Sequence, residues 1–106
     1  MIHCISTWKL KKGASLEEFL KFSREVEQPR VLAMEGIHGW DVYQVVDTLI
    51  GDPDYHIVEE ILVDSKEKWF EVCDRPEMVK NDTMWQTWGD PETVKVSIVE
   101  KVEKVK

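Results

Sequence analysis

YHIVEEILVD, residues 55–64, reads as a strand with a partner on every side, and its placement decides the fold. One side carries Tyr55, Ile57, Glu59, Ile61 and Val63; the other carries His56, Val58, Glu60 and Leu62. Both sets are mostly apolar, which predicts an inner strand covered on both faces. Either Glu59 or Glu60 then meets an apolar surface, and a carboxylate there is solvated, paired or useful. Upstream, GDPD (Gly51 to Asp54) supplies a turn from a strand containing Trp40–Val46, so the two strands form a hairpin. Downstream, Asp64 or Ser65 caps a helix starting at Lys66.

Working outward, Ile2 to Leu10 alternates and carries β-branched and aromatic residues, predicting a strand that ends at Lys11-Lys12-Gly13. Ser15 and Glu18 form a capping box, and Leu16, Phe19, Leu20, Ser23 and Val26 make one helical stripe. Gln28-Pro29 ends or kinks that helix, Arg30–Glu35 forms a short further turn, and Gly36 releases a strand over Ile37 to Asp47. Lys66–Asp74 is helical, with Trp69, Phe70 and Cys73 at core spacing. Pro76 suits the first turn of another helix, in which Met78, Asn81, Met84, Trp85 and Trp88 share a side, closed by Gly89-Asp90-Pro91. Thr93 to Val102 alternates as a last strand, and the charged tail Glu100–Lys106 frays or adds to a neighbour's sheet.

The order is β-α-β-β-α-β. Right-handed crossovers put the third strand between the first and second and the fourth outside the first. The expected fold is α+β and ferredoxin-like: a four-stranded antiparallel sheet with its helices on one face, in one domain spanning residues 1–106. Strand parity is read as sending Ile5, Val42, Val58, Leu62, Val94, Val96 and Ile98 beneath the helices. Ile2, Cys4, Trp8, Tyr43, Val45, Ile57, Ile61 and Val63 then form the open face, a patch too apolar for water, which predicts a homodimer packed sheet against sheet.

Fourteen basic against 21 acidic residues give a net charge of −7 with no basic stripe, which argues against nucleic acid and anionic membrane as partners. No apolar run is long enough to span a bilayer and no basic region precedes the first strand, so the expected location is the cytoplasm. Cys4 and Cys73 lack metal spacing and read as reduced, buried residues. There is no glycine-rich phosphate loop, HExxH, CxxC or GxSxG, which disfavours nucleotide, zinc and serine-hydrolase chemistry; no cofactor and no metal are expected.

The same parity gathers His3, Thr7, His38, Trp40, Gln44, His56 and Glu60 on the helix side, including all three histidines of the chain. The hairpin is read with Glu60 opposite Val42 and Leu62 opposite Trp40. The expected site is a pocket between sheet and helices, with Trp40, Trp85 and Trp88 as walls and His3, His38, His56 and Glu60 as its few polar groups. In it, His3 or His56 acts as general acid or base and Glu60 tunes it.

The opening IHCISTWKLKKGAS with the LEEF helix, the central YHIVEEILVDSKEKW and the piece RPEMVKNDTMWQTW resemble the dimeric α+β barrel superfamily over nearly the whole chain. Within it they are similar to the RedY-like family of prodiginine pigment pathways, and also to stress-responsive barrel proteins and plant polyketide cyclases. The resemblance implies a homodimer without an organic cofactor, with a cleft between sheet and helices for a small aromatic ligand such as a pyrrole or bipyrrole aldehyde. In the cyclases a first-strand histidine and a central-strand histidine line that cleft, matching His3 and His56. Their general base is a histidine shortly after a proline; here that segment is Arg75-Pro76-Glu77-Met78, and Met78 stands in its place. The implied alternatives are a cyclase-like or monooxygenase-like enzyme, or a carrier that shields its ligand.

Overall fold

The computed structural model describes residues 1–103. The chain runs β1 (Ile2–Trp8), α1 (Leu16–Phe22), a π turn (Ser23–Glu27), α2 (Gln28–Leu32), β2 (Ile37–Gln44), β3 (Ile57–Val63), α3 (Lys66–Cys73), α4 (Pro76–Trp85), a 3-10 turn (Pro91–Thr93) and β4 (Lys95–Val99). The sheet is antiparallel in the order β2-β3-β1-β4, the ferredoxin-like arrangement expected from the element order. Residues 100–103 have no regular structure, and the rest of the tail, 104–106, lies outside the described residues.

Local chemistry explains the helix boundaries. Ser15 accepts the Glu18 N–H at 3.2 Å and starts α1. The Glu18 carboxylate does not close the capping box; it accepts the Trp88 indole N–H at 3.3 Å and ties α1 to the segment after α4. Ser65 caps α3 in the same way through the Lys68 N–H. Gln28-Pro29 does not end the first helical run. Pro29 falls in the first turn of α2, where a missing N–H costs nothing, and the chain reaches it through the π turn, whose Gln28 N–H donates to the Ser23 carbonyl.

Two glycines are required by their surroundings. Gly36 leaves α2 with φ at +97°, a conformation that L side chains rarely adopt. A Cβ on Gly89 would lie 2.1 Å from the Trp85 ring, so only glycine lets that indole lie across the chain behind it.

The hairpin register differs from the sequence expectation by one residue. Glu59, not Glu60, stands opposite Val42, and Ile61, not Leu62, stands opposite Trp40. A one-residue slip exchanges every side chain between faces. Ile57, Glu59, Ile61 and Val63 therefore lie beneath the helices with Cys4, Ser6 and Trp8, all buried. Val58 and Leu62, with Ile5, occupy the outer face instead. Both sides of β3 are apolar enough that alternation cannot tell them apart. A bulge at His38, where the register shifts between Ile37 and Gly39, also lets Ile37 and Trp40 both point inward. Val42, Val96 and Ile98 do lie on the helix side.

Two apolar clusters join sheet to helices. Ile61, Val63 and Cys4 pack with Val31, Val72 and Met78, while Trp8 and Ile57 pack with Phe19 and Phe22. Each fully buried aliphatic side chain contributes roughly 1.5–3 kcal/mol of burial energy. Between the clusters the sheet is polar, with Ser6 and Glu59 at its centre, and a cleft opens there.

Candidate functional site

The cleft has a volume of about 280 Å³. Its floor is the inner face of the sheet at Ser6, Trp8, Trp40, Glu59 and Ile61, and its walls come from α3, α4 and the π turn. Trp69 from α3 stacks on Trp40 with ring centroids 6.3 Å apart. Trp85 from α4 meets Trp8 edge-on at 5.0 Å, held there by the close passage of Gly89. Met78, Asn81 and Asp82 line the α4 side.

Two buried carboxyls dominate the electrostatics. Glu59 accepts the Trp8 indole N–H on Oε1 and the Trp40 indole N–H on Oε2, each at 3.0 Å. Burial raises its pKa above the ordinary carboxylate value despite both hydrogen bonds, and the nearby Asp82 adds to the rise. Glu27, at the end of the π turn, is only 2% exposed. Its Oε2 accepts the Asn81 amide N–H at 3.0 Å, its buried Oε1 makes no hydrogen bond of ordinary geometry among the described residues, and the Ser23 hydroxyl nearby, like Asn81, favours its charged form. Burial first, and the charge of Glu59 second, push Glu27 up to about 8. Near neutral pH the pair thus keeps at least one proton inside an apolar, indole-lined cleft. Asp82 at the mouth is partly desolvated and pushed up to about 6. Cys73 also lines the cleft, but burial pushes its thiol up to about 11, so it is protonated at neutral pH and a poor nucleophile.

A carboxyl that carries its proton near pH 7 and lines a cleft suits general acid or base work. Among the described residues, no group of three or more His, Cys, Asp or Glu side chains is arranged to hold a metal ion, and no helix is long and apolar enough to cross a membrane.

The structure brings only part of the expected residue set to the cleft. Trp40, Met78 and Trp85 line it. Trp88 lies behind the wall, its ring tilted against Phe22 with centroids 4.9 Å apart. The one-residue register change carries His3, Thr7 and Glu60 to the outer face, where Glu60 lies 3.5 Å from the Tyr43 hydroxyl. His56 sits just before β3, exposed, its Nδ1 accepting the Leu10 N–H at 3.0 Å. His38, at the bulge, pairs with Asp64 at an exposed end of the sheet, and that hydrogen bond holds Asp64 below its ordinary pKa. Gln44 is exposed at the end of β2.

Glu27, Glu59, Trp8 and Trp69 are the cleft residues that parity and motif reading did not assign. Each left a trace. Glu59 was one of two glutamates in an apolar strand. Glu27 continues the series Leu16, Leu20, Ser23 at heptad spacing, an acidic residue where the helical stripe calls for an apolar one.

The chain matches the family model described as REDY-like protein HapK over residues 2–102. Comparison with curated proteins found no match. Among solved structures it is similar to HapK from Hahella chejuensis, with 15% identity and a TM-score of 0.79 over 100% of this chain and 97% of that one. It is also similar to At3g17210 from Arabidopsis thaliana, with 18% identity and a TM-score of 0.79 over 100% of both chains. A DABB family protein with a ferredoxin-like fold from Mesorhizobium loti aligns with 14% identity and a TM-score of 0.68 over 96% of this chain and 97% of that one. At such identities the structural likeness speaks to the fold alone, while the family match spans nearly the whole chain. The protein belongs to the REDY-like HapK family.

Proposed function

We propose that this chain takes part in prodiginine-type pigment biosynthesis, binding a flat pyrrole or bipyrrole intermediate in the cleft, and that Glu27 exchanges a proton with the bound compound. Family membership supports the pathway. The indole walls support a flat, largely apolar ligand. The observation that carries the chemistry is the unpartnered, buried Oε1 of Glu27 beside Glu59. In this reading the two indole N–H groups fix Glu59 and its field, and Glu27 is the group that moves the proton. The outer face of the sheet, with Ile5, Tyr43, Val58 and Leu62, is proposed to pair with a second copy of the chain.

A titration with a bipyrrole aldehyde followed by tryptophan fluorescence tests binding, and exchange of solvent deuterium into the ligand's carbon positions tests proton transfer. Saturable quenching is expected, with exchange slowed by about 100-fold or more in Glu27→Gln, a loss larger than any fall in affinity. Loss of binding in step with exchange would favour carriage over catalysis, and no quenching at all would remove the reading.

A further inference from the structure

We infer that the cleft selects a flat organic cation, or the cationic form of a conjugated N–H heterocycle, and admits it in exchange for a proton from the Glu27 and Glu59 pair. The inference rests on the ligand-binding reading above and adds to it the charge of the ligand.

The first support is the charge inventory of the cleft. Its ionisable side chains are Glu59 from β3, Glu27 from the π turn, Asp82 from α4 and Cys73 from α3, and none is basic. Arg30 on α2 lies outside the lining and reaches the cleft only through Asn81, its Nη1 donating to the Asn81 Oδ1 at 3.5 Å and lying 3.7 Å from the Met84 sulfur. An anionic ligand would thus enter beside three carboxyls with no basic side chain in contact with it.

The second support is the state of the donors. Both floor indole N–H groups are spent on Glu59, and the Asn81 amide is spent on Glu27 Oε2, which leaves the neutral Trp69 and Trp85 indoles and the Gln86 side chain among the donors in the lining. Among the acceptors in the lining, Asp82 presents a carboxyl and Glu27 Oε1, close to the Ser23 hydroxyl, is buried without a hydrogen bond, so the acidic side of the cleft suits a ligand N–H. The third is the wall itself, because the stacked Trp40 and Trp69 rings offer π faces that attract a delocalised cation.

The charge balance follows. Neutral, protonated Glu27 plus a ligand cation gives a carboxylate–cation pair and one proton released to solvent. Glu27 holds its proton up to about pH 8, so this release spans the neutral range.

Three isosteric probes separate the possibilities: benzamidine (cation), benzamide (neutral) and benzoate (anion), each titrated calorimetrically into the full chain in buffers of different ionisation enthalpy. Benzamidine should bind at least about tenfold tighter than benzamide, with benzoate weakest. Benzamidine binding should release nearly one proton at pH 7 and progressively less above pH 8. Its affinity should rise by up to about tenfold per pH unit between pH 6 and 8, while that of benzamide stays flat. Glu27→Gln should collapse the cation preference and abolish proton release. Benzamide or benzoate binding as tightly as benzamidine, or benzamidine binding without proton release, overturns the charge inference and leaves the cleft standing as a site for neutral ligands. Binding of none of the three, together with no quenching by the bipyrrole aldehyde, overturns both readings. The pH series on the unaltered chain decides the matter even if Glu27→Gln folds poorly.

Discussion

Glu59 and Glu60 are chain neighbours with the same side chain, yet they belong to different proteins in all but name. Glu59 lies under the helices, 5% exposed, clamped by two indoles and pushed toward its neutral form. Glu60 looks outward beside Asp41 and Tyr43, where its charge instead raises the pKa of the Tyr43 phenol. The same contrast runs along all of β3: Ile57, Ile61 and Val63 are buried, whereas Leu62 is 36% exposed. Residue type does not assign the chemistry here. The pleat does, by deciding which carboxylate is removed from water.

The largest test of that contrast is a pair of truncations. Ile61→Ala should cost about 2–5 kcal/mol in chemical denaturation, because it opens a cavity between sheet and helices; Leu62→Ala should cost under about 1 kcal/mol within a single chain. If the outer face pairs with a second copy, the cost of Leu62→Ala grows with protein concentration, so melts at two concentrations also test pairing.

Next in size is the pH dependence. Unfolded Glu27 titrates near its ordinary 4.5 and the folded group near about 8. Between those values the folded chain keeps a proton that the unfolded chain has lost, so this contribution to stability is fully present below about pH 4.5 and lost as pH rises through about 8; Glu59 acts in the same direction. Glu27→Gln should flatten that slope and be more stable than the native chain at pH 8.5 by roughly 2–4 kcal/mol, with little difference at pH 5. Thermal melts across that range check it. A native chain whose stability does not fall between pH 5 and 8.5 would break the assignment of a buried, proton-holding pair.

The smallest effect separates the neighbours themselves. Glu59→Gln turns an amide N–H toward an indole N–H and should cost about 1–3 kcal/mol, whereas Glu60→Gln should stay within about 0.5 kcal/mol. Equal costs would mean that the two faces are not as different as their burial indicates.

Much of this architecture can be read from residues alone, because the deciding signals are local. Ser15, Ser65 and Pro76 mark helix starts, Gly36 and Gly89 mark stops, and their spacing with the alternating runs yields the element order and, through crossover handedness, the strand order. The cleft walls at Trp40, Met78 and Trp85 follow from helical and strand periodicity. The acid pair does not, for two reasons. A strand apolar on both sides carries no label for its inner face, and the residue count between Gln44 and Ile57 does not set the hairpin register, so alternation alone turns the three histidines inward with Glu60 and Glu59 outward. Glu27 falls on the stripe of Leu16, Leu20 and Ser23, where an apolar residue is expected, and the π turn that ends on it has no signature in residue spacing.

That π turn places the protein's most unusual acid by length rather than by composition. A π turn holds one residue more than the α turn it stands in for, and each residue of an α-helix advances the face by about 100°. Deleting one residue inside the turn would rewind it to ordinary pitch and leave α2 in phase, whereas rewinding it with every residue kept would swing Val31 and the rest of α2 by about 100° around the helix axis, away from the core they now meet. One residue of length thus keeps the acid's turn and the helix after it in a single frame, with no side chain exchanged for another.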